Sequence, residues 1–438
     1  MQQPRKNFTQ DELLNRTRKN LEKGLSRHKV SEVDQSSFSN LDCLMSGLAL
    51  FTFKFPSLLK FDKVSQENQT LTGNLKRLFN LKKVPCDTYM RERLDKIPAS
   101  VTRQAFSNLF TLLQRSKTLE NFQFFNDSYL ISLDGTGVFS SQSVHCENCC
   151  TKHHRDGRIT YHHQILAASI VHPDQKVVYP LAPEPIMKGD GDKKNDCERN
   201  ASKRWVRDFR REHPHLKTII LADGLASNEP FISLLREHNL SFILVAKNSD
   251  HKYLSQWVEA ADSIDKPSFT ETKGGIKRTY SYMKDVPLSH SKDTCRVNVV
   301  CLEETKKGKV RHWMWVTDLP VDQSTIREFV KGARARWKIE NETFNTLKNQ
   351  GYEFEHNFGH GKKHLHTVFT HLMMLAFLID QCLQHLNKRF QAALVKEHSK
   401  KGLWHKMLYT ILNVEVPDFE TMYHYFVHPP PFKFKSIL

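Results

Sequence analysis

Two stretches of the chain end alike. LISLDGTG at 130–137 and TIILADG at 218–224 are runs of apolar and β-branched residues, each closed by an aspartate and a glycine. A carboxylate at the end of a buried strand is costly unless it is paired, hydrogen-bonded or holding a cation. Asp134 and Asp223 are therefore candidates for one shared chemical task. A third acid lies in VKGARARWKIENETFNTLK at 330–348. Read as a helix, its apolar stripe runs Val330, Ala333, Trp337, Phe344, Leu347, and Glu340 falls where the missing member belongs. Glu342 falls on the side of Lys338 and Asn345, a solvated face. Three carboxylates converging on a cavity suit Mg²⁺, which takes oxygen ligands and keeps several waters. Mn²⁺ is able to substitute. Two such ions about 3.5–4 Å apart activate an attacking oxygen and stabilise a leaving one in phosphodiester chemistry.

A second cluster, CENCCTKHH at 146–154, holds three Cys and two His. Cys146 and Cys149 have the two-residue gap of tetrahedral zinc sites. No second CxxC is present, so completion needs His153 or His154 with Cys197 or one of His162 and His163. The alternative is a loop of free thiols and surface histidines. Asp190, Asp192, Asp196 and Glu198 in DGDKKNDCER read as caps of the following helix rather than ligands of a catalytic metal.

These residues need a scaffold, and 438 residues is too long for one ordinary core, so two or three domains are expected. Lys plus Arg number 65 against 48 Asp plus Glu, a net charge of +17. That excess favours a polyanionic partner, nucleic acid before membrane, since no amphipathic basic helix stands out. The start, MQQPRKNFTQ, lacks the apolar core of a signal peptide. VFTHLMMLAFLIDQCLQHL is too short and too polar to span a bilayer and reads as a buried helix. Nine Cys with no export signal predict reduced thiols in a cytosolic compartment.

Residues 1–125 carry apolar residues at three- and four-residue spacing and predict an all-α region. Within it TLTGNLKRLFNLKKVPCDTYMRERLDKIP has the outline of a helix-turn-helix that would offer Arg91 and Arg93 to DNA; two ordinary bundle helices are the other reading. From 126 to 249 the order β-β-β-α-β-α-β is that of a ribonuclease H-like core, hence an α/β class. Residues 250–322 read as a β insertion, 323–390 as the return to the core with one long glutamate-bearing helix and a packing helix, and 391–438 as a C-terminal segment.

LISLDGTG, TIILADG and RARWKIENETFNTLK, in that order, resemble the three signature blocks of DDE transposases from bacterial insertion sequences. The resemblance is to the large group (insertion sequence family four) with a β insertion before the glutamate, and covers most of residues 37–385. It implies that Asp134, Asp223 and Glu340 hold two Mg²⁺ and that transposon ends are cut by hydrolysis and transesterification. It implies DNA partners, both terminal inverted repeats and target DNA, a homodimer bridging two ends, no membrane, and a bacterial cytoplasmic, nucleoid-associated location. Arg336 and Trp337 keep the family's place before the glutamate, where a guanidinium grips phosphate. Ala333 stands where the family has Tyr and Leu347 where it has Lys, with Lys348 one step on. Trp313 and Trp315 are candidates to stack on a flipped base, or else packing residues. Two rivals stand beside this reading: a metal-dependent nuclease without strand transfer, and a non-enzymatic DNA-binding protein of the same descent.

Overall fold

A computed structural model describes residues 7–30, 38–190, 194–261, 264–289 and 295–429. The first of these form helices α1 (Gln10–Arg27), α2 (Asn40–Thr52), α3 (Leu58–Glu67), α4 (Gln69–Phe79), α5 (Asp87–Leu94) and α6 (Ser100–Arg115). Side-chain caps fix several starts: Thr9 accepts from the Glu12 N–H, Asn68 from Leu71, and Ser39 with Asp42 makes a reciprocal capping box. These helices pack around α12 (Leu365–Leu386), whose length and apolar character would allow it to cross a membrane but which is buried along most of its surface. One of its interior charges is matched. Asp380 pairs with Lys54 at the end of α2, Nζ to Oδ2 2.7 Å, and both side chains are almost inaccessible. After α12, helices α13 (Lys388–Lys396), α14 (Lys400–Asn413) and α15 (Phe419–Val427) fold back on the same bundle. Asn74 of α4, for example, donates to the carbonyls of Ile411 and Val414 at 2.9 and 2.8 Å.

The described strands form one mixed sheet. In chain order they are β1 (Gln123–Phe124), β2 (Ser128–Ser141), β3 (Cys150–His153), β4 (Ile159–Val171), β5 (Tyr179–Pro180), β6 (Glu184–Ile186), β7 (Thr218–Ala222), β8 (Ser241–Val245), β9 (Ser268–Lys273), β10 (Ile276–Pro287), β11 (Arg296–Lys306) and β12 (Lys309–Thr317). Across the sheet the order is β3-β4-β2-β7-β8-β12-β11-β10-β9, with β1 on β2 and β5 and β6 on β4. β2 and β4 are antiparallel, while β2, β7 and β8 are parallel and joined through α7 (Lys194–Glu212) and α8 (Glu229–Glu237). After β8 comes α9 (Lys252–Ala260), and then the meander β9–β12 extends the same sheet, because β12 pairs antiparallel with β8 through Val316 and Leu244. The strands expected as an insertion therefore share one hydrogen-bonded sheet with the strands that carry the aspartates.

Two expectations about local structure are corrected. Asp134 does not end its strand: β2 runs on to Ser141, with a bulge between Gly137 and Phe139. The long helix is also not uniform. α10 (Ile326–Arg334) passes into a tight 3₁₀ turn, Ala335–Trp337, then a wide π turn, Ile339–Phe344, then α11 (Asn345–Asn349). The two turns change the phase of the side chains, so Ile339 is fully buried and Trp337 is 52% exposed, the reverse of the uniform stripe.

Candidate active site

β2 and β7 run parallel with Ser132 opposite Leu221. Two residues further on, Asp134 and Asp223 stand at the same level. Asp134 sits in the middle of the sheet, opposite Ala167 of β4. Asp223 lies just past the carboxyl end of β7, where its Oδ1 accepts from the Leu225 N–H at 3.0 Å and shapes the turn toward α8. Carboxyl ends of parallel strands are where open α/β sheets place their ligands.

The glutamate segment is fastened across this edge by two buried hydroxyls. Ser132 Oγ donates to the Arg336 carbonyl at 3.0 Å, and Ser169 Oγ lies 3.1 Å from Thr343 Oγ1. Alternation along β2 aims Ser132 and Asp134 at the same face, so the strand that bears the first acid also docks the segment that bears the third. Arg336, itself 7% exposed, then joins them. Its Nη2 donates to Glu340 Oε1 at 2.7 Å and its Nη1 lies 3.5 Å from Asp134 Oδ2. A π turn at this position is the kind of local irregularity that recurs at functional sites.

The charge of a fourth acid, Glu198, also acts on Asp134. A Cβ placed on Gly135 would come within 2.9 Å of the Glu198 carboxylate, so the glycine after Asp134 leaves room for an acid from α7. The carboxylate of Glu198, expected to cap its helix, lies against β2 at Gly135. Asp192 and the side chains of Asp190 and Asp196 lie outside the described residues. A cavity of about 230 Å³ opens beside Glu198 and Asp223, with Leu133, Lys203 and Asn228 on its walls.

The electrostatics follow from the crowding. Burial pushes the Asp134 carboxyl up to about 7; the Arg336 guanidinium opposes this, and the charges of Glu340, Asp223 and Glu198 add to it. Burial outweighs a guanidinium already in place. Carboxylate oxygens are hard donors of the kind Mg²⁺ takes; in this structure the Arg336 guanidinium occupies the place between Asp134 and Glu340, and Asp223 lines the neighbouring cavity.

No family model and no curated protein matches the chain. Among solved structures the chain is similar to the cryo-EM structure of piggyBac transposase in a synaptic complex with hairpin DNA. Identity is 9% and the TM-score is 0.41, over 98% of this chain and 84% of that one. A likeness that distant carries no argument about activity.

The other expected DNA contacts divide. Trp337 is exposed beside the acids, with the Arg336 guanidinium 4.8 Å from its ring centroid. Trp313 is half-buried and covered by the Arg334 guanidinium at 5.1 Å. Trp315 is 2% exposed and is a packing residue of β12, not a surface for a base. Lys348 pairs with Glu355 at 2.8 Å. Arg93 is corrected most plainly: it shares the inner face of α5 with Met90 and Leu94, and its Nε and Nη2 donate to Asn40 Oδ1 at 3.0 and 2.6 Å. Arg91 is bound to Asp87 one turn back. As folded, α5 is a short bundle helix with no free arginine pair to offer a groove.

Cys146 and Cys149 do come together, Sγ to Sγ 3.7 Å. Of the histidines named with them, His163 joins them, its Nε2 3.4 Å from each sulfur, whereas His154 Nε2 lies 2.8 Å from Thr160 Oγ1 and His153 is exposed at the end of β3.

Proposed function

We propose that this protein is a DNA transposase of the DDE type, a metal-dependent enzyme that cuts transposon ends and joins them to new DNA. The observation that carries the reading is the buried Arg336 guanidinium set between Asp134 and Glu340, with Asp223 on the neighbouring parallel strand close enough for its charge to act on Asp134. The strand order β4-β2-β7-β8, with two helical crossovers, supports a ribonuclease H-like core, flanked by the helical bundle and extended by β9–β12. Asp134, Asp223 and Glu340 would hold two Mg²⁺. Bound there, the ions supply activation of the attacking oxygen and stabilisation of the leaving one.

The chain's own residues do the rest. Arg336 keeps Glu340 turned toward Asp134 and presents a guanidinium where a phosphate must lie. Trp337, exposed at the rim, offers a face on which an unpaired base stacks. The net charge of +17 draws the polyanion in, and its contribution weakens as salt rises. A homodimer bridging two ends fits this chemistry.

The test is to take the inverted repeats flanking the gene, incubate such DNA with the full chain and Mg²⁺, and separate the products. Joined molecules as well as cut ends are expected. Cut ends alone would make the protein a nuclease, and no metal-dependent cutting of any DNA would overturn the reading.

A further inference from the structure

Away from the acids, a second set of side chains converges on one point. Cys146 and Cys149 lie in the turn after β2, where the Cys149 N–H donates to the Cys146 carbonyl at 3.1 Å. His163 is on β4, opposite Phe139 beyond the bulge of β2. His360 comes from the segment between α11 and α12, 197 positions from His163. The separations are 3.7 Å between the two sulfurs, 3.4 Å from each sulfur to His163 Nε2, 3.7 Å from Cys149 Sγ to His360 Nδ1, and 3.3 Å between the two ring nitrogens. All four atoms lie within 4.8 Å of one another.

A zinc ion with sulfurs at about 2.3 Å and nitrogens at about 2.0–2.1 Å makes a tetrahedron of predictable size. Its edges are about 3.8 Å between sulfurs, about 3.6 Å between sulfur and nitrogen, and about 3.3 Å between nitrogens. The measured separations follow that pattern. A disulfide is ruled out, since bonded sulfurs are about 2.05 Å apart. Hydrogen bonds account for the cluster poorly, because two thiols and two neutral rings have too few protons for so many mutual contacts.

We propose that Cys146, Cys149, His163 and His360 form a structural zinc site. With four protein ligands the coordination is closed, unlike a catalytic zinc, which keeps a position open. The surroundings support the placement. Phe139 packs edge-on against His360 with centroids 4.4 Å apart, and His366 of α12 stacks on His163 at 3.8 Å. Asn148, between the two cysteines, donates to the Lys363 carbonyl at 3.2 Å. The zinc therefore clips the far end of the β2–β4 pair to the chain that leaves the glutamate segment. Asp134 lies on one side of this clip and Glu340 on the other, so the ion acts as a positioning element for the acids and is independent of any Mg²⁺ they hold.

The experiment uses tag-free full-length protein, purified with reduced thiols and without chelator, and measures total metal by mass spectrometry. About one zinc per chain is expected. Replacement by Co²⁺ should give the visible bands and sulfur charge-transfer absorption of a tetrahedral thiolate–imidazole site. Cys146→Ser and His360→Ala should each weaken Co²⁺ binding at least tenfold, whereas the double change His153→Ala with His154→Ala should leave it unaltered. If either ligand variant does not fold, release of zinc from the wild-type chain on thiol alkylation, with two protected cysteines identified by peptide mapping, decides the matter. A reduced wild-type protein that neither carries zinc nor takes up Co²⁺ would overturn the proposal, as would undiminished affinity in His360→Ala.

Discussion

Arg336 donates to Glu340 one turn ahead of it at 2.7 Å, from a position that is 7% exposed. A buried cation this close to an acid is strongly held, and removing it leaves the carboxylates facing one another. Arg336→Met should lower the stability of the metal-free chain by about 1–3 kcal/mol, discounted because Glu340 is partly solvated. Mg²⁺ should restore part of the loss. Thermal melting with and without Mg²⁺ measures both, and a variant as stable as wild type in the absence of metal would show that the pair is incidental.

The acids themselves should separate catalysis from folding. Asp134→Asn, Asp223→Asn and Glu340→Gln should each abolish Mg²⁺-dependent cleavage while leaving melting temperatures equal or slightly higher, since amides remove mutual repulsion. Glu342→Gln is the control. Its charge acts on Lys400 of α14, and activity should be largely kept. Glu198→Gln should fall between the two, with a raised Mg²⁺ requirement. Cleavage that survives Glu340→Gln but is lost in Glu342→Gln would mean the wrong glutamate has been assigned.

The metal-free chain should also show a distinctive pH dependence. Asp134 is pushed up to about 7 when folded, against about 3.9 when unfolded. Between those values the folded chain holds a proton that the unfolded chain has released, so this group's contribution to stability falls as pH rises from about 4 to 7 and is constant above. Asp134→Asn abolishes that dependence. The melting-temperature difference, variant minus wild type, should therefore grow from pH 5 to pH 8, while the buried histidines, common to both proteins, cancel. Mg²⁺ needs the carboxylate, so its affinity should increase toward about pH 7 and then level off. Parallel pH profiles for the two proteins would contradict this.

Much of this site was legible because its signals are local. Asp134 and Asp223 announce themselves as acids on apolar strands next to glycine, and Glu340 by its place in a periodic segment. The periodicity was only partly obeyed, since the 3₁₀ and π turns exposed Trp337 and buried Ile339. What could not be read depends on tertiary contact. Glu198 comes over Gly135 only in the fold, and nothing in the spacing of the sequence marks that approach. His360 joins Cys149 across 211 positions with no spacing to mark it. Arg93 looked like a surface cation until Asn40 supplied an acceptor inside the bundle. That the meander β9–β12 extends the sheet could not be read, because pairing of β12 with β8 leaves no mark in either strand.

The helical bundle offers a test of a different kind. Lys54 Nζ reaches Asp380 at 2.7 Å and the Thr52 carbonyl at 3.1 Å, between the rings of Tyr352 and Trp404 at 4.2 and 4.3 Å. Tyr352 donates to the same Asp380 oxygen. Asp380→Leu alone should cost about 3–5 kcal/mol, because it strands a buried ammonium. Adding Lys54→Met should recover much of that loss. Chemical denaturation of the single and double variants gives the comparison, and additive losses would show that the two charges do not depend on each other.

Trp315 and Trp337 should fail in opposite ways. Trp315 is 2% exposed in β12, opposite Val300 of β11 and Val245 of β8. Trp315→Ala should therefore cost about 3–5 kcal/mol of stability through the cavity it leaves, with activity falling only as the folded fraction falls. Trp337 is 52% exposed, and its loss should change stability little. If its ring stacks on an unpaired base at the cleaved end, Trp337→Ala should weaken binding of pre-cut or mismatched ends by about 1–3 kcal/mol, the worth of one base–aromatic stack. Fully paired DNA should be bound nearly as before, since no base is then free to stack. Trp337→Phe keeps a smaller aromatic face and should restore part of the affinity. Equal loss on paired and unpaired DNA would mean that Trp337 supports Arg336 rather than meeting a base.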